Sequence, residues 1–238
     1  MQLVLLSAGK GSRLPGLYRK QPKSLVKVKK RSILDHNKNF YSKFKSKYIV
    51  TGYKSEKLKK FINENNFKSI KNFQYMKTNM VHSLFKVKSL KEKEIVVCYS
   101  DIIFDNSIFL NLKNVKNKNV ILIKENWLEV WKGRMSKKEI LNDAEDLKVK
   151  GKVLTSIGGK IKKSLPKYQY MGIMKFKKKD FIKLKKFYFK INNKKIDFTS
   201  FLNSVIENRI IKINVLVTKK FWYEIDTFKD IKFTERNL

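Results

Sequence analysis

Seven short runs of β-branched and aliphatic residues, separated by longer amphipathic stretches, limit most strongly what this chain can fold into. The runs are residues 2–7, 48–51, 94–100, 120–124, 153–157, 168–176 and 213–217. Brief continuous apolar runs suit strands covered on both faces, and their alternation with helical segments builds crossover units. The expectation is an α/β fold, with a Rossmann-like mixed, mainly parallel sheet flanked by helices. A helix is predicted at 32–44, capped by Ser32, with Ile33, Leu34, Asn37, Phe40, Tyr41 and Phe44 along one face. Others are predicted at 55–65, with Ser55 as cap and Leu58, Phe61 and Ile62 facing inward, at 178–189 and at 200–208. Neither an internal repeat nor a Pro/Gly/Ser-rich linker interrupts the 238 residues, so a single domain is expected.

Charge invites a different inference. Lys and Arg number 56 against 20 Asp and Glu, a formal net charge of +36, and a basic field of that size attracts polyanions. The charge is spread along the whole chain, however, and 50 of the 56 cations are Lys. The chain also has 20 Asn but only 2 Ala, 9 Gly and 3 Pro, a usage that follows A/T-rich codons. Nucleotide bias in the source genome accounts for this, and no nucleic-acid partner is expected. A basic nucleic-acid- or membrane-surface-binding protein is the distant alternative. With 42% hydrophobic and 13% aromatic residues the chain is not of disordered composition. A lone cysteine, Cys98, allows neither an internal disulfide nor a Cys-based metal cluster. No apolar stretch approaches the ~18 residues a membrane span needs, and the N-terminus has no basic leader. A cytoplasmic protein without stable membrane anchoring is expected; the sequence sets no oligomeric state.

In a chain so poor in Ala, Gly, Pro and Arg, eight of its twenty such residues fall between positions 8 and 22. The cluster follows the first strand, where glycines let backbone N–H groups approach a phosphate. It is not the dinucleotide fingerprint, because Leu14 stands where the third small residue belongs. Nor is it a P-loop, since Leu17-Tyr18 replaces the required Lys-Ser/Thr. Two cations, Arg13 and Lys23, lie within this Gly-rich segment and mark it as an anion site.

The stretch Leu5-Leu6-Ser7-Ala8-Gly9-Lys10-Gly11-Ser12-Arg13-Leu14, continued by Gln21-Pro22-Lys23-Ser24-Leu25-Val26, resembles the signature loop of nucleotidyltransferases that make nucleoside-diphosphate sugars and CDP-alcohols. It departs from that pattern at Ser7 and by a displaced proline, Pro15. Ser100-Asp101-Ile102 and Glu224-Ile225-Asp226-Thr227 resemble the family's two acidic motifs and come in the same order. Residues 75–84, with Thr78, Asn79, Ser83 and Leu84, are similar to a segment of the phosphocholine cytidylyltransferase-like branch, and Asp143-Ala144-Glu145 with residues 170–173 fits that branch's later half. The resemblance spans nearly the whole chain and is strongest at residues 3–28. It implies a GT-A-like fold with a nucleotide-binding half at about 1–110 and an acceptor-binding half at about 111–238.

By that resemblance, Ser7, Ala8, Gly9, Gly11 and Ser12 would hold the nucleotide, with Thr78, Asn79 and Ser83 at base or ribose. Arg13 would contact the β- and γ-phosphates and Lys23 the α-phosphate and incoming anion. Asp101 and Asp226 would hold Mg²⁺, with Glu224 in support, since this hard cation prefers carboxylate oxygens. The implied reaction is Mg²⁺-dependent transfer of a nucleotidyl group, from CTP by the closest pattern, to a small phosphorylated amino-alcohol or aminophosphonate such as phosphocholine. A sugar-1-phosphate nucleotidyltransferase making an NDP-sugar is the alternative. On the acceptor side, Trp127, Trp131 and Trp222 could wall an ammonium group by cation–π attraction or could equally be core. Glu145 could add countercharge, and Arg134 and Lys160 could grip the acceptor anion. His36 and His82 are expected to be structural.

Overall fold

The computed structural model describes residues 1–161 and 164–238. Its strands in chain order are β1 (Gln2–Ser7), β2 (Lys27–Val28), β3 (Arg31–Ser32), β4 (Ser46–Thr51), β5 (Lys68–Lys71), β6 (Glu94–Tyr99), β7 (Ile102–Phe104), β8 (Val120–Lys124), β9 (Glu145–Lys150), β10 (Val153–Lys160), β11 (Gln169–Lys177), β12 (Asn214–Thr218) and β13 (Trp222–Glu224). Nine form one sheet in the order β5-β4-β1-β6-β11-β8-β12-β10-β9. Pairings of β1 with β4 and β6, of β4 with β5 and of β8 with β12 are parallel. Within that sheet only β11 and β10 run against the rest. This is the expected α/β architecture, and every strand read from the sequence is present.

The strands that the sequence does not announce are the polar or very short ones. Edge strands β5 and β9 carry the Lys- and Glu-rich runs KSIK and EDLKVK, a composition that protects a sheet edge and hides the strand's periodicity. Short β7 and β13 pair with each other outside the main sheet.

Side chains along β1 alternate between two layers. Leu3 and Leu5 pack with Ile49, Val96, Cys98, Phe40, Tyr41, Phe104 and Trp222. Val4 and Leu6 pack on the opposite face with Val50, Val97, Leu84, Phe85 and Phe181. Each such side chain contributes ~1.5–3 kcal/mol on burial. The Lys175 ammonium lies inside this core, donating to Glu94 Oε1 and the Leu112 carbonyl, each at 2.9 Å, and to the Val115 carbonyl. With every donor used, the cost of burying the charge is offset.

The helix predicted at 32–44 is broken in two, Ile33–His36 and Lys38–Tyr41. Ser32 caps the first through a capping box with Asp35, but Asn37 leaves helical geometry at φ −103°, ψ 11°. Fully buried, its amide donates to the Ile102 carbonyl at 2.7 Å and accepts from the Phe104 N–H at 3.4 Å, tying the helix to β7. At 55–65 a 3₁₀ turn, Ser55–Leu58, precedes the helix Lys59–Glu64, and Ser55 caps nothing. The last two predicted helices run over Lys178–Ile191 and Phe198–Glu207, the latter capped by Asp197.

The chain leaves β1 for β4 on one side and later returns to β6 on the other. That reversal opens a crevice at the carboxyl ends of β1 and β6. Among the described residues no helix is long and apolar enough to cross a membrane. Replacing Asn37 by Ala strands the Ile102 carbonyl and the Phe104 N–H in the core. We expect a loss of ~2–4 kcal/mol, read as an earlier urea midpoint with an unchanged slope.

Candidate active site

The crevice is lined first by the loop after β1. Gly11 sits at φ +66°, and a Cβ there would stand 3.1 Å from Lys23 Cβ, so this position needs glycine on both conformational and steric grounds. Buried Leu14 anchors the loop beside Val26, Val28, Ile33 and Ile103. The Ser7 and Ser24 hydroxyls meet at 2.7 Å, tying the end of β1 to the 3₁₀ turn Lys23–Leu25. Lys23 is thereby folded back beneath the glycines.

Two distant acidic segments meet over it. Asp101 follows β6, and Asp226 follows β13, whose pairing with β7 is extended by an Ile225 N–H bond to the Asp101 carbonyl at 2.9 Å. The Lys23 ammonium donates to Asp101 Oδ2 at 2.7 Å and to Asp226 Oδ1. Arg13 pairs with Asp226 at 2.9 Å and reaches Asp143 at 3.5 Å. Burial disfavours the Lys23 charge, but Asp101 and Asp226 outweigh it and raise its pKa. The Asp226 carboxyl is lowered, Lys23 and Arg13 overcoming its burial. Glu224 moves the other way: burial and then the Asp226 charge push it up to about 8, with Arg134 opposing.

Two pockets adjoin at Asp101. One, of about 590 Å³, lies between Ala8, Gly9, Lys23, Tyr75, Thr78, Asn79 and Ser83. The other, of about 850 Å³, is walled by Arg13, Tyr99, Trp131, Glu145, Gln169, Tyr170, Asp197, Thr199, Glu224 and Asp226. The basic loop and the acidic cluster stand at the junction, so two anions bound side by side would meet there.

Several acceptor-side expectations need correction. Trp127 and Trp222 are core residues, each 1% exposed, and their indole N–H groups donate to the Pro166 and Met171 carbonyls at 3.0 and 3.1 Å. Of the three tryptophans only Trp131 faces the second pocket, and its buried indole N–H has no partner among the described residues. Arg134 grips no acceptor: buried, it pairs with Asp230 and stands 3.7 Å from Glu224. Lys160 is exposed and does not line the second pocket, although its register partner on β9 is Glu145, which does. Ser12 is exposed and lines neither pocket. Ser7, Ala8, Gly9, Thr78, Asn79 and Ser83 surround the first pocket, and Glu145 the second. Asn79 also caps the helix Met80–Phe85 by accepting from the Met80 N–H. His36 bonds to the Val28 carbonyl and His82 to the Tyr188 hydroxyl, each at 2.9 Å, away from both pockets.

Sequence reasoning missed the pocket-lining Tyr75, Tyr99, Gln169, Tyr170, Asp197 and Thr199. Of these only Asp197, three residues before Ser200 at a helix start, carries a local signal.

Asp101 and Asp226 are suited to a divalent cation. Both point hard oxygen donors at one spot, which Lys23's ammonium occupies. Among the described residues no cage of three or more metal-ligating side chains is present. Mg²⁺ needs none, since one or two carboxylates with substrate phosphates and water suffice.

Comparison with known proteins agrees with this geometry. A family model described as nucleotidyl transferase matches residues 2–132. The chain is 29% identical over 251 aligned positions, covering 98% of both proteins, to the CTP:phosphoglutamine cytidylyltransferase of Campylobacter jejuni. In fold it is similar to CTP:phosphocholine cytidylyltransferase of Streptococcus pneumoniae, with a TM-score of 0.77 at 19% identity over 99% of this chain and 98% of that one. It is also similar to a UDP-glucose pyrophosphorylase complexed with UDP-glucose, with a TM-score of 0.73 at 12% identity over 99% and 97%.

The displaced Glu224 carboxyl has a consequence for stability. Raised from 4.5 to about 8, it keeps a proton in the folded protein that the unfolded chain has released. Between those values the native state binds more protons, so this group makes stability fall as pH rises. Glu224→Gln should flatten that part of the profile. Melting temperatures of both proteins across the window test it; parallel profiles would contradict the assignment.

Proposed function

Because the chain belongs to the nucleotidyl transferase family, we propose that it transfers a cytidylyl group from CTP to a small phosphorylated acceptor, releasing pyrophosphate. The observation that carries this reading is the junction of the two pockets, where Lys23 and Arg13 face Asp101 and Asp226. An acceptor oxygen attacks the α-phosphorus as the bond to pyrophosphate breaks. Both partners are anions, so the barrier lies mainly in holding them in line and offsetting charge.

In this reading the first pocket takes the nucleoside, the Ala8–Gly11 backbone approaches the phosphates, and Arg13 contacts the β- and γ-phosphates. Lys23 turns from the carboxylates to the α-phosphate and the incoming anion. Asp101 and Asp226 would hold Mg²⁺, supported by Glu224, and the ion would supply positive charge at the phosphates. Buried Arg134 and Asp230 support the acidic loop: Asp230 Oδ2 accepts from the Asp226 N–H at 2.9 Å and from the Thr227 N–H at 2.7 Å.

For the acceptor, a sugar 1-phosphate has better support than a phosphocholine-like compound. Trp127 and Trp222, which would have caged a quaternary ammonium, are in the core. The second pocket instead offers Tyr99, Gln169, Tyr170 and Thr199, side chains that hydrogen-bond hydroxyl or amide groups. A second reading, phosphoglutamine, is favoured by the full-length similarity to the C. jejuni enzyme of that name. Its amide would meet the same polar wall and its ammonium would meet Glu145.

The test is pyrophosphate release with Mg²⁺, crossing CTP and UTP with glucose 1-phosphate, phosphoglutamine and phosphocholine. We expect turnover with CTP and one of the first two acceptors, and a loss of at least ~100-fold in Asp101→Ala. Turnover with phosphocholine alone would overturn the acceptor reading, and full activity of Asp101→Ala would overturn the site.

A further inference from the structure

The first pocket contains a hydrogen-bond network whose proton directions can be worked out. Asn72, directly after β5, is fully buried. Its Oδ1 accepts from the Gln74 backbone N–H at 3.0 Å, and because that group can only donate, the orientation of the amide is fixed. The Asn72 Nδ2 group must therefore be the donor in its other two contacts, to Thr78 Oγ1 at 2.9 Å and to Ser83 Oγ at 3.0 Å. Thr78 spends its own proton on the Gln74 carbonyl at 2.9 Å. Ser83 accepts from Asn72 and has no recipient for its proton among the described residues, yet its side chain lies on the wall of the pocket beside Ala8 and Tyr75. Asn72 thus takes one lone pair of the Ser83 oxygen and cannot accept its proton, which is left to the pocket.

We infer that Asn72 is a positioning residue that, by leaving the Ser83 proton to the pocket opposite ring N3 of the base, makes the pocket select cytosine over uracil. The inference rests on the nucleotide-binding reading of this pocket. Cytosine presents two adjacent acceptors, O2 and ring N3, whereas uracil carries a hydrogen on N3. A donor set against ring N3 bonds to cytosine and opposes uracil, O2 being common to both, and a buried polar group left unpaired discriminates strongly between substrates. Asn72 touches no substrate itself; it acts by denying Ser83 the freedom to turn its proton inward.

Binding of CTP and of UTP to the whole protein with Mg²⁺, measured by titration calorimetry, tests this without needing the acceptor. The native chain should bind CTP at least ~10-fold more tightly than UTP. Asn72→Asp keeps the bond from the Gln74 N–H but turns the other atom into an acceptor, which draws the Ser83 proton away from the pocket. The CTP-to-UTP affinity ratio should then fall ~10-fold, toward or past parity. Ser83→Ala removes the donor without burying a charge and should bring the ratio near one, which decides the matter should the carboxylate introduced at position 72 prevent folding. A general loss of packing would weaken both nucleotides together and leave the ratio in place, and an unchanged ratio in Ser83→Ala, or in a folded Asn72→Asp, overturns the inference. A native protein that turns over CTP and UTP equally overturns it while leaving nucleotidyl transfer standing. One that binds neither nucleotide overturns both.

Discussion

The contact on which the rest depends is the Lys23 ammonium held between Asp101 and Asp226. These groups come from three places: the loop after β1, the end of β6, and the segment after β13 near the C-terminus. Nothing local brings them together. Parallel pairing of β1 with β6 aligns the first two, and the β7–β13 ribbon carries the third back over them. Such a buried ion cluster is weak support for stability, because desolvation offsets most of the attraction. In the proposed reaction its charges would be exchanged: phosphates for the carboxylates around Lys23, a divalent cation for the lysine between them.

The sheet and the glycine loop were legible in the sequence because their signals are local. Apolar runs mark strands buried on two faces, and the crowding of Gly, Pro and Arg at 8–22 stands out against a lysine-rich background. The break at Asn37 was not legible. That residue has the right spacing for the buried face of a helix, and only its bonds to β7 explain why the helix gives way. The partners of Arg134 were hidden for a similar reason. Its position in the family pattern suggested a grip on the acceptor anion, but Asp230 and Glu224 are some ninety residues on and meet it only through the fold. The tryptophans show the limit of spacing arguments. Trp127 and Trp131 pack edge to face, with centroids 5.0 Å apart, yet one is core and the other borders a pocket.

Asn72 was missed because its role is wholly relational. In the chain it is one of 20 asparagines, in a segment with no motif. Its significance arises from a backbone N–H that fixes one end of the amide and two hydroxyls that must answer to the other. Hydrogen-bond direction is a property of the network and cannot be read from residue type.

The charge of the chain and the charge of its site run in opposite directions, and the contrast is informative. Asp101, Asp143, Glu145, Asp197, Glu224, Asp226 and Asp230 are seven of only twenty acidic residues, and six of them line one pocket. A protein whose acids were placed by compositional drift would not gather a third of them in one crevice. The lysines outside it form a long-range field that raises the local concentration of anionic substrates whatever its origin. Inside the crevice the balance reverses, so an approaching triphosphate is drawn in by the surface and then met by carboxylates that repel it unless a cation intervenes. In the proposed reaction Asp101 and Asp226 would hold a divalent ion that offsets this repulsion, and Lys23 would be free to meet phosphate. The excess of lysine needs no polyanion partner to be compatible with such a site.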